Sequence, residues 1–393
     1  MRYLSGGESH GPCLTGIIEG LPAGLNLNRE EIDRQLARRQ HGYGRGGRMS
    51  IERDRVEILS GLRFNQTIGS PLTLQIKNRD WENWQKLMAP YGDPPHDAEP
   101  LTRPRPGHAD LAGGLKYNHD DLRLVLERSS ARETAMRVAV GSVGRVLLEK
   151  FGFTFYSHVV RIGSFFSKAA VDELPTLAEQ IEESPLRCAD REAEALMIKE
   201  IDRAGQDGDT LGGIIELVVT GVPPGLGSHV HWDRRIDGRL SGALSSIQGI
   251  KGVEVGAGFS AASQPGSAVH DPITFKSGPG ISRPSNMAGG LEGGITNGQL
   301  LIIRIAMKPI PTLAKPLPSV DWQTGRDAPG AVERSDVCAV PSVAVVAEAV
   351  AAWELCVAFR NKFAGDYMEE VEAAYHYYIK KVSDRLRKTT GEI

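Results

Sequence analysis

Gly16-Ile17-Ile18-Glu19-Gly20-Leu21-Pro22-Ala23-Gly24-Leu25 reads as a β-strand that closes in a glycine-proline turn. Further along, Glu216-Leu217-Val218-Val219-Thr220-Gly221-Val222-Pro223-Pro224-Gly225-Leu226 runs through the same order. Branched apolar residues favour extended backbone, and the Gly/Pro corner ends it. Each stretch is followed by Ile-Asp-x-x-Leu, at Ile32 and Leu36 and again at Ile236 and Leu240, a helical spacing. Glycine strings follow both. Either two strand-turn-helix units coincide, or the chain holds two similar β-α halves, about 1–205 and 206–360. Both readings sit inside a single domain over 1–393 with a variable helical tail over 360–393.

Strand patterns cover residues 14–19, 56–62, 70–77, 154–162, 212–221 and 300–307. Asn28 stands as an N-cap, with Glu30 and Glu31 in the first turn of a helix that ends before Gly42-Tyr43-Gly44-Arg45-Gly46-Gly47. Ser130-Ala131-Arg132-Glu133 has the form of a capping box, opening a helix over 131–150 that Gly152 stops. Helices are also expected over 236–247 and 343–359, with one or two acidic surface helices over 177–204 and a charged peripheral one over 368–387. The Pro-, Asp- and Trp-rich segment 79–105 reads as a long loop or lid. Strands and helices do not alternate as βαβ units, so the fold class is α+β, with antiparallel sheets packed on helices.

The net charge of -3 over 393 residues gives no global attraction to nucleic acid or to a membrane, so anion binding needs a local patch. The four cysteines, Cys13, Cys188, Cys338 and Cys356, are scattered without C-x-x-C spacing, which points to free thiols in a reducing compartment. The N-terminus lacks a signal-like apolar stretch, and no segment comes near the roughly 20 apolar residues of a transmembrane span. The expectation is a cytoplasmic protein.

Such a patch exists. Arg34, Arg38, Arg39, His41, Arg45 and Arg48 crowd one helix end and the glycine string beyond it. Guanidinium forks bind carboxylates and phosphates in bidentate fashion, and embedded glycines favour a ligand site over a merely solvated basic face. Gly42-x-Gly44-x-x-Gly47 matches a dinucleotide fingerprint in letters alone, because it follows a helix instead of a strand. His10, between glycines in Gly6-Gly7-Glu8-Ser9-His10-Gly11, is placed to act as a general acid. In Arg103-Pro104-Arg105-Pro106-Gly107-His108-Ala109-Asp110 the prolines stiffen a segment bearing two arginines and a histidine, which Asp110 could orient. Arg128, Ser129 and Ser130 precede a helix start, a natural phosphate site. Lys308-Pro309-Ile310-Pro311-Thr312 lies downstream of the Gly293-Gly294 turn, and Arg334 keeps Asp336 ionised beside it. His229 and His231 read as surface histidines on a strand, and no metal site is expected.

In joint presence and order, Gly7-Glu8-Ser9-His10-Gly11, Arg105-Pro106-Gly107-His108-Ala109-Asp110 and Arg128-Ser129-Ser130-Ala131-Arg132-Glu133-Thr134 make the chain resemble the chorismate synthase family from Met1 to about Ala351. The resemblance implies helices sandwiched between two antiparallel β-sheets, and conversion of 5-enolpyruvylshikimate 3-phosphate to chorismate and phosphate. It implies a 1,4-anti elimination that requires reduced FMN without net redox change. It implies His10 as proton donor to the departing phosphate, His108 beside the flavin, and Asp336 assisting removal of the ring hydrogen. Arg39, Arg45, Arg48 and Arg105 would hold the substrate. Arg128, Ser129, Ser130, Gln248, Gly249, Gly293, Lys308, Pro309, Ile310, Pro311, Thr312 and Arg334 would hold FMN. Gln248-Gly249 departs from the usual Asn-Ala or Gln-Ala, and Ser335 and Val337-Cys338 from forms with His or Pro there. The family is tetrameric, so a homotetramer is expected. Its fungal members reduce flavin with NADPH; no reductase segment is visible here, so an external flavin reductase is the expected electron source. Two other classes compete. One is a flavin oxidoreductase that consumes reductant, against which arginine density argues. The other is an RNA-binding protein, which the near-neutral charge and lack of aromatic interleaving disfavour.

Overall fold

The computed structural model describes residues 1–45, 53–276, 280–333 and 335–387. The first part of the chain forms β1 (Arg2–Gly6), β2 (Cys13–Glu19), α1 (Arg29–Gln40), β3 (Val56–Ser60), β4 (Leu62–Arg63), β5 (Gln66–Thr67), β6 (Leu72–Lys77), α2 (Trp81–Trp84), α3 (Asp110–Tyr117), α4 (Arg123–Ser129) and α5 (Thr134–Glu149). Then come β7 (Thr154–Ile162), β8 (Phe165–Phe166), α6 (Ala178–Glu183), α7 (Arg191–Asp207), β9 (Gly213–Thr220), α8 (Ile236–Ser245), β10 (Ile250–Val255), α9 (Gly266–Val269), β11 (Thr274–Lys276) and β12 (Gly280–Ser282). The chain ends with β13 (Leu291–Glu292), β14 (Ile295–Thr296), β15 (Leu301–Met307), β16 (Pro318–Val320), β17 (Asp327–Pro329), α10 (Val340–Lys362) and α11 (Met368–Arg387).

The strands assemble a four-stranded sheet, β1-β2-β6-β3, and a five-stranded sheet, β10-β15-β9-β7-β8, with every strand pair in these two sheets antiparallel. Helix α5 packs on β2 and β6, α10 packs on β7 and β9, and α5 and α10 pack on each other. The sequence explains how closely they approach. Leu14 and Ile18 of β2 turn their side chains into the core while Gly16 leaves room between them: a Cβ there would stand 2.6 Å from Met136 Sδ of α5. At the helix crossing, a Cβ on Gly141 would stand 2.2 Å from the Ala349 carbonyl oxygen, so only glycine allows the two backbones to meet.

Helix α10 is apolar on nearly every side, and from Val340 to Ala352 every side chain is buried. By length and composition it could cross a membrane, which corrects the reading that no segment comes near that test; here protein surrounds it. Its one buried acid, Glu348, receives Arg38 and Arg145 at 2.7 Å each and Ser157 at 2.5 Å. Burial alone would raise this carboxyl, but Arg38, Arg145 and Arg187 hold it far below the usual carboxylate range.

The two stretches that echo each other in sequence end in matching corners. The Thr67 hydroxyl donates to the Pro22 carbonyl at 2.6 Å and accepts the Leu25 N–H at 2.9 Å. The Thr296 hydroxyl donates to Pro223 at 2.7 Å and accepts the Leu226 N–H at 2.8 Å. Gly20 and Gly221 both take positive φ, 92° and 72°. The sheet orders run in parallel too: β3-β6-β2-β1 has the connectivity of β10-β15-β9-β7, with α1 matched by α8 and α5 by α10.

Two local readings are corrected. Ser130 accepts from the Arg132 N–H and begins a short 3-10 turn over Ala131–Glu133 before α5; the Glu133 carboxylate instead holds Arg137 and Gln248, so no reciprocal capping box forms. His231 lies in no strand. It pairs with Asp233 at 2.6 Å in an exposed loop.

Candidate active site

The loop between β1 and β2 carries His10. Its backbone N–H donates to Glu127 Oε2 at 2.7 Å and its Nδ1 lies 2.8 Å from Glu127 Oε1. The ring stacks on Trp84 of α2, with centroids 4.0 Å apart. Arg123, one turn before Glu127 on α4, lies over the Trp84 ring at 5.2 Å, with Nη1 3.9 Å from Glu127 and Nη2 4.0 Å from Glu333. The Nε and Nη1 of Arg123 are buried and make no hydrogen bond among the described residues. Sequence reasoning missed Glu127, Arg123 and Trp84. The i, i+4 spacing of Arg123 and Glu127 on one helix face was the available signal.

His108 sits after a turn at Gly107, with Nδ1 2.6 Å from Asp110 Oδ1. Asp110 also takes the Arg105 backbone N–H at 3.1 Å, Nε at 2.8 Å and Nη2 at 3.0 Å, and Arg105 Nη1 reaches Thr312 at 2.9 Å. The expected orienting role of Asp110 is therefore present, and it serves Arg105 as well as His108. Burial would raise this carboxyl, but the bonds from His108 and Arg105 hold it far below its ordinary value.

Arg39 is buried, with Nε on Thr134 at 3.0 Å and Nη1 3.3 Å from Asp54. Arg132 reaches the other oxygen of Asp54 at 2.6 Å, and Arg45 lies 3.1 Å from Asp336. Burial, opposed by Asp54 and aided by Arg132 and Arg45, pulls the Arg39 guanidinium down to about 10. Among the described residues, the guanidiniums of Arg39, Arg45 and Arg132 thus gather around Asp54 and Asp336, a donor-rich setting suited to an anion. Asp336 and Thr312, with Glu333, line a cavity of about 410 Å³. Arg45 lines a neighbouring one of about 410 Å³ that shares Gly205, Ser335 and Val337 with the first. Neither His10 nor His108 lines these cavities; Arg123 links His10 to Glu333 at the rim.

The residues expected to hold a flavin divide. Lys308 donates its backbone N–H to the Gly249 carbonyl and its Nζ to the Gly107 carbonyl, which joins 308–312 to both the Gln248-Gly249 turn and the His108 turn. Burial and Lys251 lower the Lys308 ammonium below its ordinary value. Ile310 accepts the Thr210 hydroxyl through its carbonyl, and Pro311 packs by Gly107. Gln248 Nε2 donates to Glu133 at 3.1 Å, while its Oε1 is buried and bonds nothing among the described residues. The Ser130 hydroxyl meets Ser9 at 3.1 Å. The Ser129 hydroxyl turns back onto the Val125 carbonyl of its own helix. Arg128 braces the Ser5 and Gly7 carbonyls from the exposed side. Gly293 lies at the tip of the β13–β14 hairpin, and no described contact joins it to the others. Arg48 and Arg334 lie outside the described residues.

A family model described as chorismate synthase matches residues 1–359. A chorismate synthase of Moorella thermoacetica is 57% identical over 385 residues, covering 97% of this chain and all of its own. One of Desulforamulus reducens is 57% identical over 376 residues, covering 95% and 97%. A solved structure described as a crystal structure of chorismate synthase aligns at 43% identity with a TM-score of 0.79, covering 98% of each chain.

Proposed function

Because the chain belongs to the chorismate synthase family, we propose that this enzyme eliminates phosphate from 5-enolpyruvylshikimate 3-phosphate to give chorismate, with reduced FMN bound and no net redox change. The carrying observation is the gathering of Arg39, Arg45 and Arg132 around Asp54 and Asp336, with Arg45 and Asp336 lining two neighbouring cavities. Guanidinium forks suit a substrate with two carboxylates and a phosphate, and the same groups stabilise charge that builds on the leaving phosphate.

His10 donates its Nε2 proton to the departing phosphate, since Glu127 engages Nδ1. Arg123, with buried donors to spare, and Arg105 hold anionic groups of the substrate. Asp336, which lines the cavity, assists loss of the ring hydrogen. For FMN, the buried Gln248 Oε1 suits a ring N–H donor, and the Lys308 ammonium and the Ser130 hydroxyl can supply donors. When bound, reduced FMN lends electron density to the allylic system and recovers it as hydrogen is lost. His108, held by Asp110, sits where it can hold or pass a proton at Nε2.

The reading extends to architecture and setting. Helices lie between the two sheets, and the chain is one domain built of two β-α halves, supported by the paired Thr67 and Thr296 corners. The matched elements run β1 to α5 and β7 to α10, which supports a boundary between the halves near residue 150 in place of about 205. A cytoplasmic homotetramer served by an external flavin reductase completes it. The test is anaerobic turnover of the enolpyruvyl substrate with photoreduced FMN. Many turnovers of chorismate and phosphate per flavin are expected; one flavin oxidised per product would sink the elimination in favour of an oxidoreductase.

A further inference from the structure

We infer that Glu127 is the positioning residue of His10: its buried carboxylate clamps the histidine by backbone and ring at once, fixing the Nδ1–H tautomer and presenting a single ring nitrogen, Nε2, to the substrate. The inference rests on the reading of His10 as the acid. Glu127 is 2% exposed, on the last turns of α4. One oxygen takes the His10 backbone N–H at 2.7 Å, and the other stands 2.8 Å from Nδ1. An ionised carboxylate only accepts, so Nδ1 must carry its hydrogen and the Nε2 proton is the one available for transfer. The Glu127 carbonyl also accepts the Ser9 N–H at 3.0 Å, so the loop is fastened to α4 on both sides of the peptide.

The ring's remaining freedom is rotation about its own plane, and Trp84 removes it by stacking at 4.0 Å. Among the described residues, Arg123 is a further charged group beside the pair. It lies 3.9 Å from Glu127, over Trp84, and 4.0 Å from Glu333, and so couples the carboxylate to the 79–105 segment and to the cavity rim. A histidine held by a carboxylate at Nδ1 and by an aromatic face behind is pre-set for proton transfer, and loss of such an orienting acid costs turnover more than binding.

The experiment uses the full chain labelled with ¹⁵N-histidine, with the His10 signals assigned by their loss in His10→Asn. At a pH where the ring is neutral, the native protein is expected to show the Nδ1–H form. In Glu127→Gln the amide can keep the backbone N–H on its oxygen but turns its NH₂ to Nδ1, so the ring should switch to Nε2–H. With that switch, kcat should fall about 10²–10⁴-fold while KM stays within about threefold. Glu127→Asp should restore the Nδ1–H form and at least about a tenth of native kcat. A native Nε2–H tautomer, an unswitched Gln variant, or equal loss in kcat and 1/KM would overturn the inference. If Glu127→Gln does not fold, the native tautomer alone decides. Absence of turnover in the native protein would count against the elimination reading, while the tautomer would still report on Glu127.

Discussion

Replacing Asp110 with Asn tests whether one buried carboxylate organises the Arg105–His108 side of the cleft. The native side chain accepts four hydrogen bonds: two on Oδ2 from the Arg105 backbone and Nε, two on Oδ1 from Arg105 Nη2 and His108 Nδ1. Asparagine keeps one oxygen, and its NH₂ must face two donors. Two charge-assisted bonds disappear, at about 1.5–3 kcal/mol each. A buried guanidinium is also left without its counter-charge, and breaking one side of a buried pair costs about 3–5 kcal/mol in all. Denaturant unfolding should therefore show a loss of about 3–5 kcal/mol, and KM for the enolpyruvyl substrate should rise as Arg105 loses its aim. The pH dependence has a definite sign. The folded carboxyl is held far below the unfolded value of about 3.9, so its contribution is complete above about pH 5 and fades as pH falls below about 4. Native protein should lose stability over that acid range, and the Asn variant should lose less. A variant within about 1 kcal/mol of native at pH 7, with unchanged KM, would show that Asp110 does not hold Arg105.

His10→Ala should lower kcat by roughly 10²–10⁴-fold in the anaerobic assay; full activity would remove His10 from proton transfer. Gly141→Ala forces a methyl to 2.2 Å from the Ala349 carbonyl at the α5–α10 crossing, and denaturant unfolding should register a loss of about 1–3 kcal/mol or more. Thr67→Val and Thr296→Val each delete a donor and an acceptor at matching corners; each should cost about 1–3 kcal/mol, and widely unequal losses would count against two equivalent halves. Burial pushes the thiols of Cys188 and Cys338 up to about 11 and that of Cys356 up to about 12, so a thiol reagent near pH 8 should label Cys13 first and the other three only on unfolding.

Six of the nine strands in the two main sheets and the central helices were legible because each repeats a local pattern; β1, β8 and β10 were not read. Ile17 and Ile18 alternate across β2, and the apolar run of α10 declares itself by length. Much of the candidate site was proposed from residue types in order: His10, His108 with Asp110, the arginines around Arg39 and Arg45, and the Lys308 to Thr312 segment. Two things escaped. Glu133 matched a capping box by spacing, yet tertiary contact with Arg137 and Gln248 offered its carboxylate stronger partners than a backbone N–H. Glu127 and Arg123 carry no motif of their own, because their meaning depends on a loop 117 residues away for Glu127 and on Glu333 for Arg123.

The sequence by itself determined the α+β class, the family, and which side chains have the chemistry to bind an anion and move a proton, since backbone preference and residue type are local properties. Only the tertiary structure decided which of them meet. It set Glu127 under His10, Asp54 between Arg39 and Arg132, and Thr312 against Arg105, while leaving Arg128 on the outer side of its loop and Gly293 at a remote hairpin tip. The reason is that long-range pairing follows from how two sheets and the glycine-notched α5 packed on α10 close around one core, and charge is distributed across that closure by distance in space, to which order along the chain is blind.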